Sequence, residues 1–297
     1  MTRGRTMRRL LRHRGVQAGA AIVLLWVLLA LLSWPLGGWD PATFDPDQGL
    51  DYQRQPPTWL RDGRLAPGVE PRRFLCGTDD LGRDVFALVL YGARYSLVIG
   101  LVAVSISLAV GVPIGLVSGY FGGRVDGLLM RTLDVLMAFP TILLAICVVT
   151  ALGQSLPNLM IAVGIVGIPP VARQLRASVL VVRELEYVVA ARALGYSHAR
   201  VLFLHVLPNC LAPVIVLGTL GTATAILETA GLGFVGLGAE PGTPEWGLLI
   251  AENRNLVTSA PWTVLTPGAA IVLLVLGLNL LGDGLRDVLD PRLRGRT

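Results

Sequence analysis

The chain has 297 residues, 53% of them hydrophobic and only 15% charged, with a mean hydropathy of +0.65. That balance excludes an ordinary soluble domain and points to several membrane spans. All 25 basic residues behind the formal charge of +5 are arginine, so a Walker A phosphate loop, which needs its lysine, is excluded. The arginines are dispersed between apolar runs, so nucleic acid is excluded as a partner and the lipid bilayer is expected as one.

The leader 1–15 carries Arg3, Arg5, Arg8, Arg9, Arg12 and Arg14 without an acid, which places the N-terminus inside. Six apolar runs follow, at 16–36, 97–120, 135–152, 159–177, 210–232 and 263–281. A span takes about 20 residues of helix, and lipid tolerates no open sheet, so an all-α bundle of six transmembrane helices is expected. The first run is long and lacks an A-x-A site after it, so it is read as an uncleaved span. Residues 39–94, rich in Pro, Asp and Gly, read as an extracytoplasmic loop. Arg124 and Arg131 put 121–134 inside, and five arginines do the same for 173–209. The outer connection 153–158 is uncharged, and 233–262 has three glutamates against one arginine. Arg286, Arg292, Arg294 and Arg296 return the C-terminus to the inside, as a cytoplasmic tail 286–297.

Several residues within these runs invite a role. Glu228 lies well inside the fifth run, and an intramembrane carboxylate is costly. It either lines a path or holds a neighbouring helix. Asp134, one turn after Arg131, reads as a salt-bridged helix end. Arg173 and Arg176 read as boundary residues that snorkel to the interface. Pro169 and Pro170 are expected to break or kink the fourth run, as a hinge or a static bend. Gly115 and Gly119 have GxxxG spacing, read as coincidence in so Gly-rich a helix. The stretch 231–236 matches GxGxxG but lies outside any βαβ unit, and is set aside. Cys147 and Cys210 read as small buried hydrophobes, while Cys76 sits in the outer loop.

No catalytic set, cofactor site or metal site is expected. His13, His198 and His205 all fall outside the runs, on the inner side, and neither HExxH nor GxSxG occurs. The polar segment 186–209 stands out instead. Residues 186–194 are good helix formers, and small Ala190 and Ala191 would let a partner approach closely. Gly195 can take the positive φ that ends a helix, Ser197 offers an N-cap to a second helix reaching Leu207, and Pro208 precedes the next span.

This segment resembles the "EAA" coupling loop of bacterial ABC-importer permeases. Glu186, Tyr187, Ala190, Ala191, Leu194, Gly195, Leu207 and Pro208 carry the likeness, while Val189 and His205 depart from the usual pattern. Three further stretches, 77–94, 119–140 and 279–294, are similar to the dipeptide, oligopeptide and nickel importer permeases. The likeness is to the six-span second permease of the pair. It implies an ABC type-1 transmembrane domain at 95–285, with the coupling loop at 178–209, behind a tail and first helix at 1–38. It also implies a homologous second permease, two cytoplasmic ABC ATPases that hold the ATP and Mg, and an extracytoplasmic substrate-binding protein. The site is the bacterial inner membrane, the cargo a peptide or, equally within the family's motifs, nickel or a glutathione-like molecule. The alternative is a stand-alone secondary transporter or channel, which would need ion-coupling groups of its own.

Overall fold

A computed structural model describes residues 9–36, 50–60 and 73–289. Arg3, Arg5, Arg8, Arg292, Arg294 and Arg296 lie outside the described residues, as do parts of the 39–94 loop and of the 286–297 tail.

The elements follow one another as α1 (Arg14–Leu36), α2 (Val85–Phe121), α3 (Gly123–Met137), α4 (Thr141–Leu152) and α5 (Leu156–Val182). After them come α6 (Glu186–Ala193), α7 (His198–Val201), α8 (Leu207–Phe234), α9 (Trp246–Asn253) and α10 (Trp262–Leu289). Among the described residues there is no sheet, only an isolated antiparallel bridge between Thr78 and Asp84. Five helices are long and apolar enough to cross a bilayer, and the bent pair α3–α4 makes a sixth if counted as one span.

Helix α2 starts well before the apolar run at 97, so residues 85–94, expected in the outer loop, are helical. Asp84 caps it by accepting the Phe86 amide at 2.8 Å. Burial pushes the Asp84 carboxyl above its ordinary range, while the Phe86 and Ala87 amides pull it back. Arg94, the last residue of the expected outer loop, lies inside the helix and donates to the Ala30 carbonyl at 2.6 Å. The third run is bent: it breaks at residues 138–140, where Pro140 opens α4, and α3 and α4 meet at 86°. The expected break at Pro169 and Pro170 is absent, because α5 runs through both without interruption.

Helices α2 and α5 form the most extensive pairing in the bundle. Gly111, Gly115 and Gly119 face α5 so closely that a Cβ on Gly115 would lie 2.4 Å from the Ala172 carbonyl. The GxxxG spacing is therefore an intrachain seam, not a coincidence. One turn before Gly111 on the same face of α2, Ser107 donates to the Gly164 carbonyl of α5 at 2.8 Å. A smaller seam joins α1 to α10, with Gly19 against Leu281 and Gly277 against Ile22.

At one end of the bundle the 233–262 connection folds inward as α9. Trp246 is fully buried, meets Trp26 edge-on at 4.9 Å and donates to the Val89 carbonyl at 2.9 Å. Glu245 caps α9 by accepting from Gly247 and Leu248. Its burial pushes the carboxyl up, against the pull of those two amides. Trp262 donates to the Thr78 carbonyl at 2.9 Å, and Arg83, paired with Asp79 at 2.6 Å, reaches Glu252 of α9 at 3.7 Å, which ties 73–84 to the same cap. The three cysteines are free; Cys210 is buried as expected, Cys76 half-buried, and Cys147 exposed rather than buried.

The seam makes a sharp prediction. Gly115→Leu must displace α5 backbone, and overpacking of this kind costs about 1–3 kcal/mol. Gly127→Ala, where a Cβ meets nothing within 4 Å, should be neutral or slightly stabilising. Thermal unfolding of the detergent-solubilised chain, followed by gel filtration, should separate the two.

Candidate functional site: a partner-docking loop at the arginine-rich end

The opposite end of the bundle gathers Arg124, Arg131, Arg173, Arg176, Arg183, Arg192 and Arg200 around the polar loop. Helix α6 ends as the sequence suggests: Gly195 takes φ +77°, a left-handed conformation that costs a Cβ-bearing residue about 1–2 kcal/mol. Ser197 then caps α7 by accepting the Arg200 amide. The second helix does not stop at Leu207. A π-helical turn over Leu202–Val206 joins α7 to α8, so His198–Phe234 is continuous. Pro208 has no amide to give the Leu204 carbonyl, and the ladder widens just before it, with Leu207 donating to Leu202.

The loop has two faces. Val188, Ala191, Val201, Leu202 and Val206 are buried against Leu116 and Tyr120 of α2 and Leu175 and Val179 of α5. Ala191 thus serves the chain's own packing, and of the two alanines only Ala190 is exposed for a partner. The outer face presents Glu186, Tyr187, Val189, Arg192, Leu194 and Pro208, with Leu194 74% exposed. Leu207 is half-buried at the start of α8.

Aromatic and cationic contacts stiffen the loop. The Tyr120 hydroxyl meets His198 Nδ1 at 3.1 Å, and the Arg192 guanidinium lies 5.0 Å over the Tyr120 ring. Tyr196 stacks on His205 at 5.9 Å and carries Arg200 on its other contact at 4.3 Å. Burial pushes the Tyr187 phenol above its ordinary range, and Cys210 adds to the shift.

Charged pairs tie α3 to α5 beside this loop. Arg176 grips Asp126 through two hydrogen bonds of 2.5 Å, and Ser118 donates to the same carboxylate at 2.5 Å. Asp134 is ion-paired, but with Arg173 across the helix gap instead of Arg131 along its own helix. Arg173 and Arg176 are accordingly members of ion pairs. Arg183 donates to the Gly119 carbonyl at 2.8 Å and closes the end of α2. Sequence reasoning missed Tyr120, Asp126, Arg183 and Arg192. The available signal was charge of both signs flanking neighbouring apolar runs.

Of the other candidates, Glu228 is half-buried in α8 and far along the helix from the loop. Pro169 and Pro170 lie within α5, and Pro169 is buried. Neither meets the docking loop.

A bundle of bilayer-length helices with a helical loop at its arginine-rich end, one face buried and one exposed, defines the architecture of a multi-span membrane subunit. Residues 111–295 match the family of binding-protein-dependent transport system inner membrane components, and the chain belongs to that family. It is 52% identical over 218 residues to the dipeptide transport system permease protein DppC of Alkalihalophilus pseudofirmus, covering 73% of this chain and 72% of that one. It is 44% identical over 282 residues to the di/tripeptide transport system permease protein DppC of Pseudomonas aeruginosa, covering 95% and 89%. A chain of the MetNI methionine ABC transporter superposes with a TM-score of 0.57 at 19% identity, over 68% of this chain and 96% of that one. The fold is therefore that of an ABC type-I importer permease, and the chain is a multi-pass inner-membrane transport subunit.

The two ion pairs should differ in weight. Asp126→Asn removes half of a part-buried, doubly bonded pair and should destabilise the chain by about 1–2 kcal/mol. Asp134→Asn breaks a pair whose members are 45% and 54% exposed and should cost under about 1 kcal/mol. Exchanging the charges as Asp126→Arg with Arg176→Asp should recover part of the first loss, measured as thermal unfolding in one detergent.

Proposed function

We propose that this permease imports peptides, working with a homologous second permease, two cytoplasmic ABC ATPases and an extracytoplasmic binding protein. The peptide cargo is supported by the names of the relatives, which are permeases of dipeptide and di/tripeptide systems. ATP and Mg are held by the ATPases, and this chain binds no cofactor. Both termini and the 178–209 loop lie on the cytoplasmic side, in keeping with the arginine-rich end and the positive-inside rule.

One observation carries the mechanism. The docking loop is bonded inward to α2 and α5 by its buried face and runs without a break into α8. Closure of the ATPases pushes on Glu186, Tyr187, Ala190, Leu194 and Pro208. Val188 and Ala191 pass the displacement to the α2–α5 seam, and α7 passes it along α8. The bundles then rock between outward and inward access, and peptide delivered by the binding protein crosses to the cytoplasm. Residues 39–84 face the binding protein's side, 85–289 form the transmembrane unit, and Pro169 and Pro170 act as a fixed feature of α5 in this cycle.

The test is affinity purification of the tagged chain in mild detergent, with the companions identified by mass spectrometry. Leu194→Asp charges the most exposed apolar side chain of the loop without touching its buried face. A second permease and an ATPase should accompany the wild type, and the ATPase alone should be lost from the variant. A chain recovered alone that still transports in liposomes without ATP would overturn the proposal.

A further inference from the structure

Glu228 stands on a face of α8 that the chain itself leaves open. Thr224, Glu228, Gly231 and Val235 follow one another at helical spacing along that face. Thr224, Leu227, Gly231 and Val235 are exposed, and a Cβ on Gly231 would meet nothing within 4 Å. The opposite face is filled: Ile226, Thr229 and Leu232 are each at most 2% exposed, and Gly233 touches α9. Glu228 makes no hydrogen bond and no ion pair with any other described residue. Every other half-buried or buried carboxylate named above has a partner: Asp79 has Arg83, Asp126 has Arg176, and Asp84 and Glu245 cap helices.

The residue lies six positions before the end of α8, about 9 Å of helix from that end. A carboxylate at that depth cannot face hydrocarbon at acceptable cost, so its open face meets water or a polar occupant. The bare backbone at Gly231 one turn away leaves room for such an occupant. Its chemistry is set by what a lone carboxylate accepts from: a group with N–H donors and positive charge.

We propose that Glu228 lines the translocation path and accepts the side-chain ammonium or guanidinium group of a cationic peptide, favouring such cargo over neutral and acidic cargo. This rests on the peptide-import function proposed above. In a water-filled path one such contact changes passage by about five- to tenfold.

The experiment uses the complete importer reconstituted in liposomes with its binding protein in saturating amount. Uptake is compared for Ala-Lys, Ala-Ala and Ala-Glu, with wild type, Glu228→Gln and Glu228→Asp. Glu228→Gln should lower Ala-Lys uptake about five- to tenfold relative to Ala-Ala, leave Ala-Ala near wild type and raise Ala-Glu. Glu228→Asp should restore much of the preference, and the subunit composition should be unchanged. Equal loss for all three peptides would overturn the proposal: with dissociation of the complex it would make Glu228 a helix-packing residue, and with an intact complex a gating one. Unchanged selectivity would overturn it as well. Wild-type liposomes without ATP-dependent uptake of any of the three peptides would instead remove the peptide-import function itself.

Discussion

Everything at the arginine-rich end depends on how closely α2 and α5 approach. Gly111, Gly115 and Gly119 give α2 a bare strip, and Gly164 and Gly167 let α5 take Ile106 and Ser107, respectively, against its backbone. In lipid no hydrophobic force drives helices together, so close van der Waals contact and hydrogen bonds between helices must hold them. The Ser107 hydroxyl supplies one such bond directly to an α5 carbonyl. With that seam closed, the ends of the two helices, Leu116 and Tyr120 on one and Leu175 and Val179 on the other, form a floor. The buried side of the docking loop rests on that floor. Widening the seam would remove the loop's support before it changed any residue of the loop.

The same seam explains the uneven grip on α3. That helix buries only Leu133 fully and turns away from α4 by 86°. Its hold on the bundle has two parts: Leu133, flanked by Met130 and Leu136, packs on Ile168 and Ala172 of α5, and Asp126 and Asp134 bond the arginines of α5, with Ser118 of α2 sharing the first carboxylate. Apolar packing builds the α2–α5 body and seats α3 on it, and directional charged bonds set the arm's orientation. Such bonds fix orientation better than they add stability, which suits an arm whose position relative to the docking loop must be defined.

Much of this was legible in the residues. The loop's local shape followed from Gly195, Ser197 and Pro208, whose backbone preferences leave few alternatives. The number of bilayer-length segments followed from apolar length, with α3–α4 counted together. What composition could not reveal was where charge is tolerated inside a helix. Arg94 closed the expected outer loop yet sits within α2, where α1 offers it a carbonyl. Pro169 and Pro170 signalled a break in α5 that does not occur, whereas Pro140, with its neighbours, marks a break that does. The partner of Asp134 was misread for a related reason. Spacing along one helix favours Arg131, but only the packing of α3 on α5 brings Arg173 closer. Helix α9 left no periodic trace, since its burial depends on Trp246 finding the Val89 carbonyl far away in sequence.

The unbroken path from α7 to α8 links the two ends of the subunit. His198 and Glu228 lie on one continuous helix about 45 Å apart along its axis. The π turn at Leu202–Val206 is the one irregular segment between the docking loop and α8, and its wider ladder gives that segment latitude that a plain α-helix lacks. Leu202 and Val206 are nonetheless buried on the α2–α5 floor, so the turn cannot absorb displacement by swinging free. In the proposed cycle, a push on α7 must therefore shift α8 along or about its axis. The open face carrying Glu228 moves with it, while the filled face keeps its contacts with Gly100 of α2 through Ile226. Coupling and cargo contact then reside on one rigid element, and the seam between α2 and α5 is the bearing on which that element turns.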